Sequence, residues 1–411
     1  MGETAQTISC RCCIVGGGPA GMMLGFLLAR AEVDTLVLEK HQDFFRDFRG
    51  DTIHPSTLEI MDELGLYDEF LKLPHQETRL LKAQVGTTEL PMADFSHLPT
   101  RAKFLAFMPQ WDFLDFLAGQ AKHFPAFRLK MGAEVTGLIF EGDRVTGVKV
   151  KTADGQLQVR ADLTIGADGR SSLIRQEAGL MPNEIGAPMD VLWFRLSWKA
   201  GDPEEAFGRA DSGQILVLIN RGTYWQCGYV IPKGTARELK ARGIAALRQR
   251  IETLAPFLED RAPELKSFDD INLLTVAVNR LPLWHKPRLL CIGDAAHAMS
   301  PVGGVGVNLA IQDAVAAANI LAEPLSGEGP VSNEFLAQVQ KRREWPTKVI
   351  QGLQVIIQKR VISRVLAGTE RVSPPWLLRL FIHFPVLRRL PAMLIGLGVR
   401  REHIRSPAAK L

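Results

Sequence analysis

The stretch Cys12–Lys40, CCIVGGGPAGMMLGFLLARAEVDTLVLEK, constrains this chain more than any other. Cys12–Val15 is a short apolar run of the kind that forms a buried parallel strand. Gly16, Gly18 and Gly21 then spell G-x-G-x-x-G, and Gly25 follows one helical turn later. Such glycines serve a tight turn, close backbone approach to a pyrophosphate, and close helix–strand packing. A helix opening near Pro19 offers unpaired N–H groups to phosphate charge. The second strand, Thr35–Leu38, ends in Glu39, 18 residues after Gly21, where a carboxylate accepts from ribose hydroxyls. Strand, glycine turn, helix, strand and acid in this order predict an adenine-dinucleotide site; the alternative is a glycine-rich turn without a ligand.

With 411 residues and 46% hydrophobic content the chain can bury a large core and form two or three domains. The N-terminus MGETAQTISC has no apolar run, and Gln6 stands where a myristoylation site needs a hydroxyl residue, so no leader or acyl anchor is expected. No uninterrupted apolar run approaches a membrane span. Five cysteines, three of them in the first strand, lack the partner pairs of a zinc site, and buried free thiols in a cytoplasmic protein are the expectation. The net charge of +4 hides an asymmetry: residues 341–411 carry 15 Lys/Arg against 3 Asp/Glu, a surplus of +12, and the preceding residues sum to −8. A basic tail points to an acidic partner, a membrane surface or the chain's own acidic body.

Along the chain, Pro55 opens a helix that reaches Leu64 and is closed by Gly65. Arg49-Gly50-Asp51 precedes it, in the loop leaving the second strand near the expected phosphates. Weak alternation predicts strands over 78–107, and Trp111–Phe124 has helical spacing after Pro109-Gln110. From Phe127 to Ile165 consecutive strands are predicted, with turns at Gly142-Asp143 and Asp154-Gly155. The last, Asp162–Ile165, runs into Gly166-Ala167-Asp168-Gly169-Arg170, where Asp168 caps a helix or orders the loop beside the first phosphate site.

Gln214–Ile219 and Thr223–Ile231 should pair as a hairpin across Asn220-Arg221-Gly222. Alternation puts Trp225, Cys227 and Tyr229 on the face toward one amphipathic helix, Ala236–Leu254, and Tyr224, Gln226 and Gly228 on the face left to line a pocket. Leu289–Ile292 is another buried strand, followed by GDAAHAMSPVGGVGVN (293–308) and an alanine-rich helix to Leu321. The final 70 residues read as helical, broken at Pro346, Pro374-Pro375, Pro385 and Pro391.

Together, GxGxxG with Glu39, GADGR at 166–170 and the 293–308 motif resemble the class A flavoprotein monooxygenases, the aromatic hydroxylases of the para-hydroxybenzoate and ubiquinone hydroxylase type. The resemblance spans roughly residues 10–325. It implies an α/β fold: a doubly wound, Rossmann-like FAD domain (1–76, 100–182 and 275–330) interrupted by a mixed β-sheet substrate domain (77–99 and 183–274), then a helical C-terminal region (331–411). By position, Gly16, Gly18, Ala20 and Gly21 would hold the FAD pyrophosphate, and Glu39 the adenosine ribose with Lys40 beside it. Arg49 and Gln110 match polar contacts to the phosphate and ribityl portions, and Val135 a backbone contact near the adenine. Asp168 matches an aspartate that supports FAD and the transient nicotinamide cofactor, and Asp294 the acid on the phosphate–ribityl chain. Pro301, Gly303, Gly304, Gly306, Val307 and Asn308 match the loop and helix start beside the flavin ring, where helix N–H groups favour the reduced anion by roughly 0.3–2 kcal/mol.

The implied reaction uses NADH or NADPH and O2: the flavin C4a-hydroperoxide delivers one oxygen to an aromatic or other electron-rich, lipophilic small molecule, in a water-poor cavity. No side chain need be a nucleophile, no catalytic residue is assigned, and His297 is read as orienting its loop. Arg195, Tyr224 and Gln226 are the expected pocket residues. Two departures stand out: no match is evident for the phenol-polarising tyrosines among Tyr67, Tyr224 and Tyr229, and the W-x-W-x-I of flavin halogenases is absent. An FAD-dependent reductase or dehydrogenase without oxygen insertion is the alternative, and a nicotinamide-only dehydrogenase or flavin-binding regulator a third reading. Neither a metal nor nucleic acid is expected, and monomer and homodimer stay open. The incomplete apolar stripe Val349, Leu353, Ile356, Ile357, Val365 and the apolar–basic segments beyond it suggest self-packing, a dimer contact, or peripheral contact with the inner face of the membrane.

Overall fold

The computed structural model describes residues 6–45, 52–203, 206–368 and 376–408; Arg49, Gly50 and Asp51 lie outside them. Five parallel strands form the central sheet in the spatial order Phe127–Lys130, Thr35–Leu38, Gln6–Val15, Gly155–Gly166, Leu289–Cys291. The Gln6–Val15 strand begins six residues before the apolar run, because its outer half is polar and exposed while Cys12–Val15 is buried. Gly155–Gly166 is likewise longer than its apolar end predicts: Gly155–Arg160 also pairs antiparallel with Arg144–Thr152, at the edge of the sheet. The crossover helix Pro19–Arg30 is apolar and buried on nearly every side, which suits a helix wedged between a sheet and a second helix. That second helix, Gly306–Ser326, has the length and hydropathy of a membrane span, yet 78% of its most apolar window is buried within the protein.

A seven-stranded mixed sheet runs Asn272–Leu274, Met189–Ser197, Tyr224–Pro232, Gln214–Asn220, Phe207–Asp211, Leu80–Val85, Thr88–Asp94. The hairpin closes as expected, with Asn220 opposite Trp225, and the Asn220 side chain accepts from the Gly222 N–H (2.7 Å) at a turn where φ is +84°. Trp225, Cys227 and Tyr229 pack with Leu239, Leu247, Ile251 and Leu254 in a separate core. The expected single helix over 236–254 is two, Ala236–Ala241 and Ile244–Leu254, because Gly243 adopts φ +83° and turns the chain between them.

The C-terminal region departs from its sequence reading at Pro346. The helix Asn333–Ile357 passes through this proline unbroken and continues by a π-turn, Gln358–Ile362, into Ser363–Ala367. Side-chain bonds on both sides hold it: Arg342 to Glu402 (2.8 and 2.9 Å), Gln351 to the Asn279 and Ala298 carbonyls (2.9 and 3.0 Å), Gln354 to those of Ser300 and Val302 (2.9 and 2.8 Å). The inward face therefore carries Arg343, Gln351 and Gln354 beside Leu336, Val339 and Ile350, while Ile356 and Ile357 of the apolar stripe stay exposed. All five cysteines are buried and unpaired, and no metal-binding cluster occurs among the described residues.

Candidate functional site

The first and second glycine turns leave adjacent parallel strands at the same end of the sheet. Gly16 (φ +106°) lies so close to the second turn that a β-carbon on it would overlap the Ala167 carbonyl and stand 2.9 Å from Asp168 Cα. Gly21 packs its Cα against the Gly16 carbonyl, leaving no room for a side chain. A β-carbon at Gly18, by contrast, would meet nothing within 4 Å. The peptide at the start of the Pro19–Arg30 helix thus faces open space, as phosphate approach requires. Gly293 brings the third motif to the same place: its Cβ position is 3.2 Å from the β-carbons of Ala20 and Ala310.

Charged side chains stitch the loops together. Glu39 accepts from the Gly17 N–H (2.9 Å) and the His41 N–H (3.1 Å), which sets it over the glycine turn; Lys40 beside it is exposed. Asp168 accepts from the Ser172 hydroxyl (2.5 Å) and the Ile174 N–H (3.1 Å), so its side chain caps the short helix Leu173–Glu177 while its backbone abuts Gly16. Burial raises its pKa, and those donors oppose the shift. Arg170 and Asp294, 4.0 Å apart and each about one-third exposed, join the second motif to the third. Buried Arg175 repeats the link, donating to the Ala295 carbonyl (3.2 Å) and the Arg170 carbonyl (2.7 Å).

The third loop is held from below. Asn308 accepts from the His54 N–H (2.9 Å) and the Thr57 hydroxyl (2.8 Å), and donates to the Thr52 carbonyl (3.0 Å). Its side chain is spent on anchoring the loop rather than left free for a ligand. Gly303 and Gly304 take positive φ (+80° and +62°), and Gly304 sits against Thr52. Gly306 and Val307 open the Gly306–Ser326 helix, and Pro301 precedes the loop. Buried His297 bonds Asp313 (2.6 Å), which also accepts from the Gly293 N–H (3.1 Å) and from Arg343 (2.9 Å). Arg343 continues to Glu402 (3.2 Å) and the Arg400 carbonyl (3.1 Å). Burial opposes ionisation of Asp313, but His297 and Arg343 outweigh it and lower its pKa. This chain of buried charges escaped sequence reading because its members lie far apart in number. The one local signal is Asp313, an acid set just before the alanine run of the Gly306–Ser326 helix.

Of the remaining expected residues, Gln110 begins the helix Gln110–Ala121 and Val135 lies on the strand Glu134–Glu141 opposite Val150. Arg195 stacks over the Tyr224 ring (4.7 Å to its centroid) and pairs in register with Gln226. Gln226 itself is buried, and its carbonyl oxygen accepts from Arg221 (3.1 and 3.2 Å). On the same face Trp193 covers Gly228, and both Trp193 and Val302 of the third loop pack against the buried cluster Met189, Val191, Val230, Val276 and Val278. The sheet face and the third glycine loop therefore meet.

This cradle suits FAD: an open peptide at a helix N-terminus, a carboxylate beside the first turn, and a second helix start at Gly306. The family described as FAD binding domain matches residues 9–352. A 6-methylpretetramide 4-monooxygenase from Streptomyces rimosus is 34% identical over 88% of this chain and 85% of its own length. Among solved structures, the p-nitrophenol 4-monooxygenase PnpA from Pseudomonas putida DLL-E4 superposes with TM-score 0.75 at 20% identity, covering 96% of this chain and all (100%) of that one. The anhydrotetracycline hydroxylase OxyS from Streptomyces rimosus gives TM-score 0.72 at 23% identity, covering 96% and 77%. At those identities the structural likenesses show the fold. With the family match over most of its length, this chain belongs to the FAD-binding family of flavoprotein aromatic monooxygenases.

Proposed function

We propose that this FAD-dependent monooxygenase uses NADH or NADPH and O2 to hydroxylate a lipophilic, fused-ring aromatic molecule bound between the third glycine loop and the seven-stranded sheet. The observation that carries the reading is the packing of Val302 against the apolar cluster that includes Val191 and Val230 of the sheet, which joins the expected flavin loop to an apolar surface. The kinship with a 6-methylpretetramide monooxygenase supports a polycyclic substrate.

Bound FAD supplies the electron storage and O2 activation; the chain supplies position, charge and dryness. Gly16, Gly18, Ala20 and Gly21 hold the pyrophosphate against the helix start, and Glu39, with Lys40 beside it, takes the ribose. Asp168, Asp294, Arg49 and Gln110 are assigned to the rest of the dinucleotide chain, and Val135 to the adenine side. Pro301, Gly303, Gly304, Gly306, Val307 and Asn308 form the loop and helix start whose N–H groups favour negative charge. Trp193, Tyr224 and Arg195 line the substrate side, with Gln226 fixed beneath them by Arg221. Residues 1–76, 100–182 and 275–330 make the FAD domain on this assignment.

The test is a panel of polycyclic phenols given to FAD-loaded protein with NADH or NADPH, following nicotinamide oxidation, peroxide release and 18O from labelled O2 in the product. One compound class should accelerate oxidation with low peroxide and a labelled product. Reduction that never consumes O2, or peroxide alone with every compound, would count against the reading.

A further inference from the structure

We propose that the turn Ile382–Met393 docks on an anionic lipid bilayer. Between Glu370 and Glu402 the sequence contains no carboxylate, while Arg379, Arg388, Arg389 and Arg400 are basic and Arg401 pairs with Glu59 (3.0 Å). Into this charge the structure sets bulky apolar groups: Phe384, Val386 and Leu390 are 56%, 65% and 66% exposed, and Ile382 and Met393 are exposed with them. They are presented by ordered structure. Arg388 donates to the Phe381 (2.6 Å) and Ile382 (3.1 Å) carbonyls, closing the end of the helix Trp376–His383 and fixing the turn. In the next helix, Arg389–Gly396, Leu390 and Met393 lie three apart on the outer face. Ala392 and Gly396 lie four apart on the inner one, and Gly396 packs against Phe95 and Leu98.

Charge decides the occupant. Among the described residues no carboxylate pairs with Arg379 or Arg389, and apolar tips flanked by these two arginines match the acyl boundary and phosphate headgroups of an anionic leaflet. A second copy of this chain would have to bury those arginines without acids of the same segment to meet them. The inner side of the Arg389–Gly396 helix reaches the candidate site: the Ile395 carbonyl accepts from His54 Nδ1 (2.7 Å), and Leu394 packs with Val305, Leu309 and Ile350. A docked turn would hold the site close to a lipid-dissolved substrate. That last purpose rests on the proposed reaction; the docking itself does not.

The test is co-sedimentation of the full chain with phosphatidylcholine vesicles, with and without phosphatidylglycerol, without nicotinamide cofactor. Binding should require phosphatidylglycerol and weaken with salt. Phe384→Ser with Leu390→Ser should abolish it, and Arg389→Glu should weaken it by at least about fivefold. FAD content should match wild type in every variant. The proposal falls if the wild type stays in the supernatant at low salt, or if the variants bind as wild type does. It also falls if Leu390→Ser converts a dimer to a monomer in sedimentation velocity while vesicles are ignored.

Discussion

Gly16 and Ala167 touch so closely that a single methyl group on the first would overlap the carbonyl of the second. The first and second glycine turns are therefore one packed unit, and the pair Gly16 and Gly18 separates packing from ligand binding. Gly16→Ala should lower stability, since positive φ alone costs a side chain about 1–2 kcal/mol before the overlap is counted. Gly18→Ala should keep the melting temperature within a degree or two and weaken FAD binding instead, because its β-carbon enters open space. Thermal melts without FAD and flavin fluorescence titration check both; equal melting losses in the two variants would contradict the assignment.

Arg343 is fully buried between Asp313 and Glu402. Arg343→Met would remove a buried cation from between two carboxylates, leaving Glu402 to Arg342 alone and Asp313 to His297 and the Gly293 N–H, and should cost about 3 kcal/mol in urea denaturation. Because Asp313 also accepts from His297 and from the Gly293 N–H, FAD affinity should fall with it. A loss below about 1 kcal/mol would show the network to be idle.

Burial lowers the His54 pKa from 6.5 to about 4, opposed by hydrogen bonding to the backbone of Ile395 and Gly303. Between those values the unfolded chain binds more protons than the folded one, so stability is lost as pH falls through that window. The expected contribution is a loss of about 2 kcal/mol between about pH 7.5 and pH 5. His54→Asn, which keeps a donor near the Ile395 carbonyl, should flatten the profile by that amount. Parallel pH profiles for the two proteins would contradict it.

On the sheet face, a β-carbon at Gly228 would stand 3.0 Å from two atoms of the Trp193 ring, which must then shift by a few tenths of an ångström. Gly228→Ala should change KM and the preferred ring system more than kcat, with a stability change within about 1 kcal/mol. Steady-state kinetics over the phenol panel reads this directly; an unchanged KM for every compound would place the pocket elsewhere.

The three glycine motifs were legible because each turn and helix start is local, as Gly16–Gly21 illustrates, and because Glu39 stands at a fixed place one helix and one strand further on. The hairpin at Asn220-Arg221-Gly222 was legible for the same reason. Pro346 misled because a proline's local cost is met here by distant partners, Glu402 and the Ser300 carbonyl among them. Beyond Pro346 the inward face was hidden because Gln351, Gln354 and, in the π-turn, Gln358 pack inside beside Ile350 while Ile356 and Ile357 point out, against hydrophobic periodicity. Gly243 was readable as a break, but the apolar stripe running across it suggested continuity. Alternation alone predicts a pocket-facing Gln226 and does not show that Arg221, five residues back across the hairpin turn, donates to its carbonyl oxygen.

Amide hydrogen exchange with and without FAD tests most directly whether three separate loops grip a single nucleotide. The account predicts that adding FAD slows exchange together in 16–21, 166–172 and 293–308. Protection confined to the first segment, or none at all, would contradict it.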